Sequence, residues 1–133
     1  MSHSYSGRLA SIAAIAVALN ALAACGKPAS PYVFSAVQSE VSMEGEATVD
    51  VRLIHQPTGK PVENAVIFET RLDMGPDGMG EMTAPVTADG SPAPGVYRFK
   101  VAPTMAGRWE LRLSAKVQGE AESVTGSVVV TAH

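Results

Sequence analysis

Apolar and polar residues alternate with a period of two along most of the chain from Tyr32 onward, in short runs broken by turn residues. This period places alternate side chains on opposite faces of a half-buried strand and does not fit a helix. The cleanest run is Trp109-Glu110-Leu111-Arg112-Leu113-Ser114-Ala115-Lys116-Val117, with every apolar residue on one face and every charge on the other. Ala47 to His55 repeats the pattern with Val49, Val51 and Leu53 inward, and Val96 to Val101 with Tyr97, Phe99 and Val101 inward. Val66 to Met74 is predicted as a strand with Val66, Phe68, Leu72 and Met74 on its inner face. Tyr32 to Val37, a weak Ala84 to Thr87, and Ser123 to Ala132 with its Val128-Val129-Val130-Thr131 run complete the set.

Seven short strands separated by turn signals such as Gln56-Pro57-Thr58-Gly59 and Asp89-Gly90-Ser91-Pro92 predict an all-β, seven-stranded antiparallel immunoglobulin-like sandwich over residues 32–133. Its predicted core is Val51, Leu53, Phe68, Tyr97, Phe99, Trp109, Leu111 and Leu113. If consecutive strands run antiparallel, alternate connections share one end. Met43, Met74, Met79, Met82, Met105 and His133 then fall at the same end, and the chain enters at the other.

Before Tyr32 the pattern changes. Arg8 precedes an apolar run from Leu9 to Leu19, which is too short and too alanine-rich for a spanning helix and has the form of a secretory signal. It ends in Leu22-Ala23-Ala24-Cys25-Gly26. That sequence resembles the lipobox of bacterial lipoproteins, which implies removal of a 1–24 signal peptide and lipidation of Cys25 as the new N-terminus. Residues 25–31, with Pro28 and Pro31, form a stiff tether to the membrane. The implied location is the bacterial cell envelope, lipid-anchored and facing the periplasm or exterior. Cys25 is the only cysteine in 133 residues, so no internal disulfide is available.

The formal charge of −3 argues against nucleic acid as a partner. No nucleophile–base pairing stands out, and the domain has only His55 and His133 as imidazoles, so the chain is not read as an enzyme. His55, placed at the opposite end from the methionines, is read as a surface histidine.

The chemistry concentrates in Asp73-Met74-Gly75-Pro76-Asp77-Gly78-Met79-Gly80-Glu81-Met82. Gly75-Pro76 and Asp77-Gly78 are turn pairs, which predict an irregular loop. Thioethers are soft ligands that select Cu(I). Met74, Met79, Met82 and Met105 are therefore the candidate metal ligands, with Asp73, Asp77 and Glu81 supplying a negative field. The competing reading is packing: Met74 has a place on the inner strand face, and loop methionines also serve as a lid over a core. A calcium loop does not fit, because Gly75 and Ala84 stand where an EF-hand places oxygen ligands.

Three segments carry a family resemblance: the methionine loop, Gly95-Val96-Tyr97-Arg98-Phe99, and Met105-Ala106-Gly107-Arg108-Trp109. In that order they resemble the YtkA-like domain, a group related to FixH. The resemblance spans about Val49 to Thr131. It implies an extracytoplasmic immunoglobulin-like sandwich associated with copper handling or with assembly of copper-containing oxidases. Met79 and Met82 would match the family's methionine loop, and Met105 the methionine before its Gly-x-Trp. Two functions remain open: Cu(I) binding and delivery to another envelope protein, or a metal-free interaction module of an envelope complex.

Overall fold

A computed structural model describes residues 30–133. The expected signal peptide, Cys25 and most of the expected tether lie outside the described residues. Ten strands form two sheets: β1 (Tyr32–Ala36), β2 (Glu40–Val41), β3 (Ala47–His55), β4 (Lys60–Pro61), β5 (Val66–Met74), β6 (Met79–Ala84), β7 (Val86–Ala88), β8 (Val96–Val101), β9 (Gly107–Lys116) and β10 (Val124–Ala132). One sheet runs β1-β3-β8-β7 with β4 appended to β3, and the other runs β2-β10-β9-β5-β6. All pairings are antiparallel except β2 with β10. The all-β sandwich expected from the pattern is the observed fold.

Of the three additional strands, β4 is a short hairpin return onto β3, and β2 and β6 arise from sheet-switching. At the N-terminus the chain pairs with β3 as β1, then crosses to lie parallel to β10 as β2. Between Ala84 and Val86 it crosses again. Here Pro85, which has no N–H to donate to a ladder, separates β6 on one sheet from β7 on the other.

The core lies between the sheets. Val49, Val51, Leu53, Phe99 and Val101 from one sheet meet Leu72, Met74, Trp109, Leu111 and Val130 from the other, all essentially without solvent contact. Each such side chain contributes about 1.5–3 kcal/mol through removal from water. The alternation in β3, β8 and β9 therefore reads directly as burial, inward residues closed and outward ones open.

β5 departs from its pattern. Its ladder with β9 shifts between Ile67 and Glu69, so Phe68 is an extra residue with no opposite number. A bulge reverses the facing of everything before it. Val66 and Phe68, expected inside, are 62% and 54% exposed, and Ile67 takes the inward position. Phe68 is thus not a core residue. The other expected core residues, Val51, Leu53, Tyr97, Phe99, Trp109, Leu111 and Leu113, are buried.

Candidate functional site

The strand registers settle where the methionines lie. Ala132, at the end of β10, pairs with Gly107 at the start of β9. Glu110 of β9 pairs with Asp73, and the following Met74 pairs with Met79. The backbone N–H of Met43 donates to the carbonyl of His133 (3.0 Å). Met43, Met74, Met79, Met105 and His133 therefore gather at one end of the sandwich. At the other end Tyr32 pairs with His55, and Gln56 donates to the Pro31 carbonyl (2.8 Å), so the chain enters the domain remote from the methionines.

The methionine segment is a hairpin. Gly75–Asp77 forms one 3-10 turn, closed by the Gly78 N–H on the Gly75 carbonyl (2.9 Å), and β6 begins at Met79. The expected irregular loop is thus regular structure, because β5 continues to Met74 and the turn residues occupy only four positions. The β5–β6 register shifts between Asp73, opposite Thr83, and Met74, opposite Met79, and so accommodates Gly80, Glu81 and Met82 on the outer edge.

Burial divides the four candidate ligands. Met74 is fully enclosed among the core residues, which places its thioether in packing. Met79, Met82 and Met105 are 38%, 40% and 37% exposed, each with side-chain surface open to solvent. Among the described residues, no three His, Cys, Asp or Glu side chains come together as a metal-holding group.

Two carboxylates clamp the hairpin. Asp73 is buried, and its Oδ1 accepts from the Gly75 N–H (2.9 Å) while its Oδ2 accepts from Arg71 Nε (3.0 Å) and Arg112 Nε (3.2 Å). Burial by itself would raise its pKa. The Gly75 amide and the two guanidiniums outweigh it and hold the carboxyl below the usual range. Arg71 also reaches the Gly80 carbonyl (2.8 Å), joining β5 to β6, and Arg112 turns its Nη2 to Glu110 (2.8 Å). Asp77 accepts from the backbone N–H of Arg108 (2.7 Å) and from its Nε (2.8 Å), and both bonds lower its pKa. Arg108 Nη2 donates to the Pro76 carbonyl (2.7 Å), so the turn is tied to the start of β9 from both sides.

These pairs correct one expectation. Asp73 and Asp77 do not project a negative field at the methionine end, because Arg71, Arg112 and Arg108 neutralise them at hydrogen-bond distance. They act as fasteners. Of the three acids, Glu81 is left exposed on β6 without such a clamp.

The Met105-Ala106-Gly107-Arg108-Trp109 segment forms the facing half of the clamp. Trp109 is buried, and its indole N–H donates to the Met105 carbonyl (3.0 Å), fixing the loop that presents Met105. Gly107 has φ +139°, and a Cβ there would come 2.6 Å from the Met74 Cε and 2.7 Å from Asp77 Oδ2. Only glycine accommodates that backbone together with so close an approach. The glycine therefore makes room for the hairpin's buried methionine and its carboxylate clamp.

Sequence reasoning missed the ion-pair ladder. Its signal was present, as Glu69-x-Arg71-x-Asp73 and Arg108-x-Glu110-x-Arg112 place alternating charges on the outer faces of two strands. The partnering required the register, which sets Arg71 opposite Arg112 and Asp73 opposite Glu110.

Comparison with known proteins found a family match and a distant structural likeness. A family model described as YtkA-like matches residues 26–114, two thirds of the chain, including the hairpin and the Met105–Trp109 segment. Among solved structures, the ZirS C-terminal domain is similar at 15% identity and a TM-score of 0.48, covering 100% of this chain and 86% of that one. No curated protein matches the chain in sequence.

Proposed function

We propose, for a chain that belongs to the YtkA-like family, that it is an envelope-anchored module binding one Cu(I) ion through methionine thioethers, for handover to another envelope protein. The observation that carries this reading is the exposure of Met79, Met82 and Met105, each open to solvent by more than a third. A soft cation needs accessible sulfur, and these three thioethers, unlike the enclosed Met74, supply it. Met79, Met82 and Met105 would hold the ion, and Met74 supports them from the core. Thioethers are neutral and polarizable, so a site made from them favours Cu(I) over hard cations and needs no deprotonation.

The anchor is the lipidated Cys25 expected from Leu22-Ala23-Ala24-Cys25, with the stiff 25–31 tether leading to the end opposite the methionines. That polarity presents the thioethers away from the bilayer, where a donor or acceptor protein docks.

The test is anaerobic Cu(I) titration against a competing chelator, using protein with Cys25→Ala so that every remaining sulfur is a thioether. Met79→Leu/Met82→Leu keeps volume and apolarity and removes two sulfurs. The expected result is one Cu(I) per chain with affinity nearly flat from pH 8 to pH 5, lost in the double variant. Affinity that falls steeply near the histidine range would transfer the site to His133. If the double variant binds as tightly as its parent, the methionines are packing, and the metal-free interaction module becomes the function.

A further inference from the structure

Besides the terminal strands of the two sheets, β5 leaves part of its outer edge open among the described residues. β6 pairs with β5 only at Leu72, Asp73 and Met74 before crossing to the other sheet at Pro85. From Val66 to Arg71, no described strand pairs with the outer edge of β5. The crossing also parts the two sheets there. It leaves a groove of about 440 Å³, walled by Ala65 and Ile67 on the β5 side and by Ala88, Gly90, Tyr97 and Phe99 on the β7–β8 side.

Three features set this edge apart from an ordinary solvated one. Val66 and Phe68 are the two most exposed large apolar side chains among the described residues, and both lie on the open segment. Natural edges are blunted by charge, proline or bulges; here Phe68 is bulged and charge begins only at Glu69, so Val66 to Phe68 remains an uncharged apolar stretch that can template another strand. Next, the start of β5 is held in place. The Tyr97 hydroxyl donates to the Val62 carbonyl (2.6 Å) and accepts from the Ala65 N–H (3.0 Å), so the groove has a fixed wall. Last, the charge around the opening is one-sided. Glu63, Glu69 and Asp89 are exposed there, while Arg98 is consumed by both oxygens of Asp50 (2.8 and 2.9 Å) and Arg71 by Asp73. Lys116 lies opposite Val66 on the β9 side, away from the open edge.

We propose that the open edge of β5 is a docking site for an extended segment of a partner protein, alternately apolar and basic, which adds as a strand beside Val66–Arg71. Main-chain hydrogen bonds to the edge supply affinity, and alternate side chains supply specificity. One face of the added strand places apolar side chains in the groove beside Ile67; the other lays the apolar stems of Lys or Arg across Val66 and Phe68 with their charged heads beside Glu69, and Glu63 lies at the end. The proposal stands apart from the metal reading, since it uses none of the methionines.

The test uses two fluorescein-labelled nine-residue peptides, one alternating valine with lysine and one alternating valine with glutamate, titrated with the purified protein in anisotropy measurements. The valine–lysine peptide is expected to bind saturably and more weakly as salt rises. Phe68→Ser and the pair Glu63→Lys/Glu69→Lys should each weaken it at least tenfold, whereas Met79→Leu/Met82→Leu should leave it unchanged. The substituted positions are exposed, and thermal unfolding verifies that each variant is folded; should one fail, the other decides. Absence of saturable binding, equal binding of the valine–glutamate peptide, or indifference to both variants overturns the proposal. Sedimentation showing a dimer that Phe68→Ser dissociates would assign the edge to a second copy instead.

Discussion

Replacing Gly107 by Ala tests whether the glycine before Trp109 makes room for the methionine hairpin. The new Cβ would lie 2.6 Å from the Met74 Cε and 2.7 Å from Asp77 Oδ2, where about 3.5–4 Å is comfortable for carbon. The Met74 methyl is the end of a flexible side chain, but it is fully buried against filled space, so its displacement is an overpacking cost of about 1–3 kcal/mol. The backbone at φ +139° adds about 1–3 kcal/mol of strain for a residue with a Cβ. Moving Asp77 also stretches its bonds to the Arg108 amide and guanidinium. Together the substitution should cost about 2–6 kcal/mol. For a domain of this size it should lower the melting temperature by about 10 °C or more. Urea unfolding monitored by the single, buried Trp109 gives the loss directly. Combining Gly107→Ala with Met74→Ala removes one of the two clashes and lets the new methyl occupy part of the vacated space. The double variant should therefore lose less than the sum of the singles. A loss below about 0.5 kcal/mol, or strict additivity of the pair, would refute the close approach on which the clamp rests.

Two further outcomes follow. Asp50, Asp73 and Asp77 all have depressed pKa values in the fold, so they bind protons less readily there than in the unfolded chain. Their contribution is then fully present above the ordinary carboxylate pKa of about 4 and is lost as pH falls through the folded values. Urea midpoints should be flat from pH 7 to about 5 with respect to these groups and fall below about 4. Asp77→Asn should reduce that fall, and an undiminished slope in the variant would remove Asp77 from the account. Cys25→Ala should move the protein from the membrane to the soluble fraction in bacterial cell fractionation, and an unchanged distribution would reject the lipid anchor.

The sequence by itself determined the main strands. Strands β3 and β8 begin, end and face where the alternation places them, because residues of period two with one apolar face have a single way to bury that face, and β5 keeps its expected bounds. It also determined that the methionines share an end, since that follows from strand parity alone. Tertiary structure decided which of them are accessible. Met74 and Met79 are cross-strand partners five residues apart, yet the first is enclosed and the second open, because Met74 ends an inward-facing row and Met79 begins an edge strand. It likewise decided the fate of Phe68, where one bulged residue reverses the facing of Val66 and Ile67. No local pattern announces that bulge, because the extra residue is accommodated only against a particular partner in β9. The carboxylates followed the same rule. Asp73 and Asp77 read as free charge along the chain, and they became fasteners once strand register brought Arg112 and Arg108, 39 and 31 residues away, within hydrogen-bond distance. Periodicity is a property of neighbours in sequence, whereas exposure and charge pairing are set by neighbours in space.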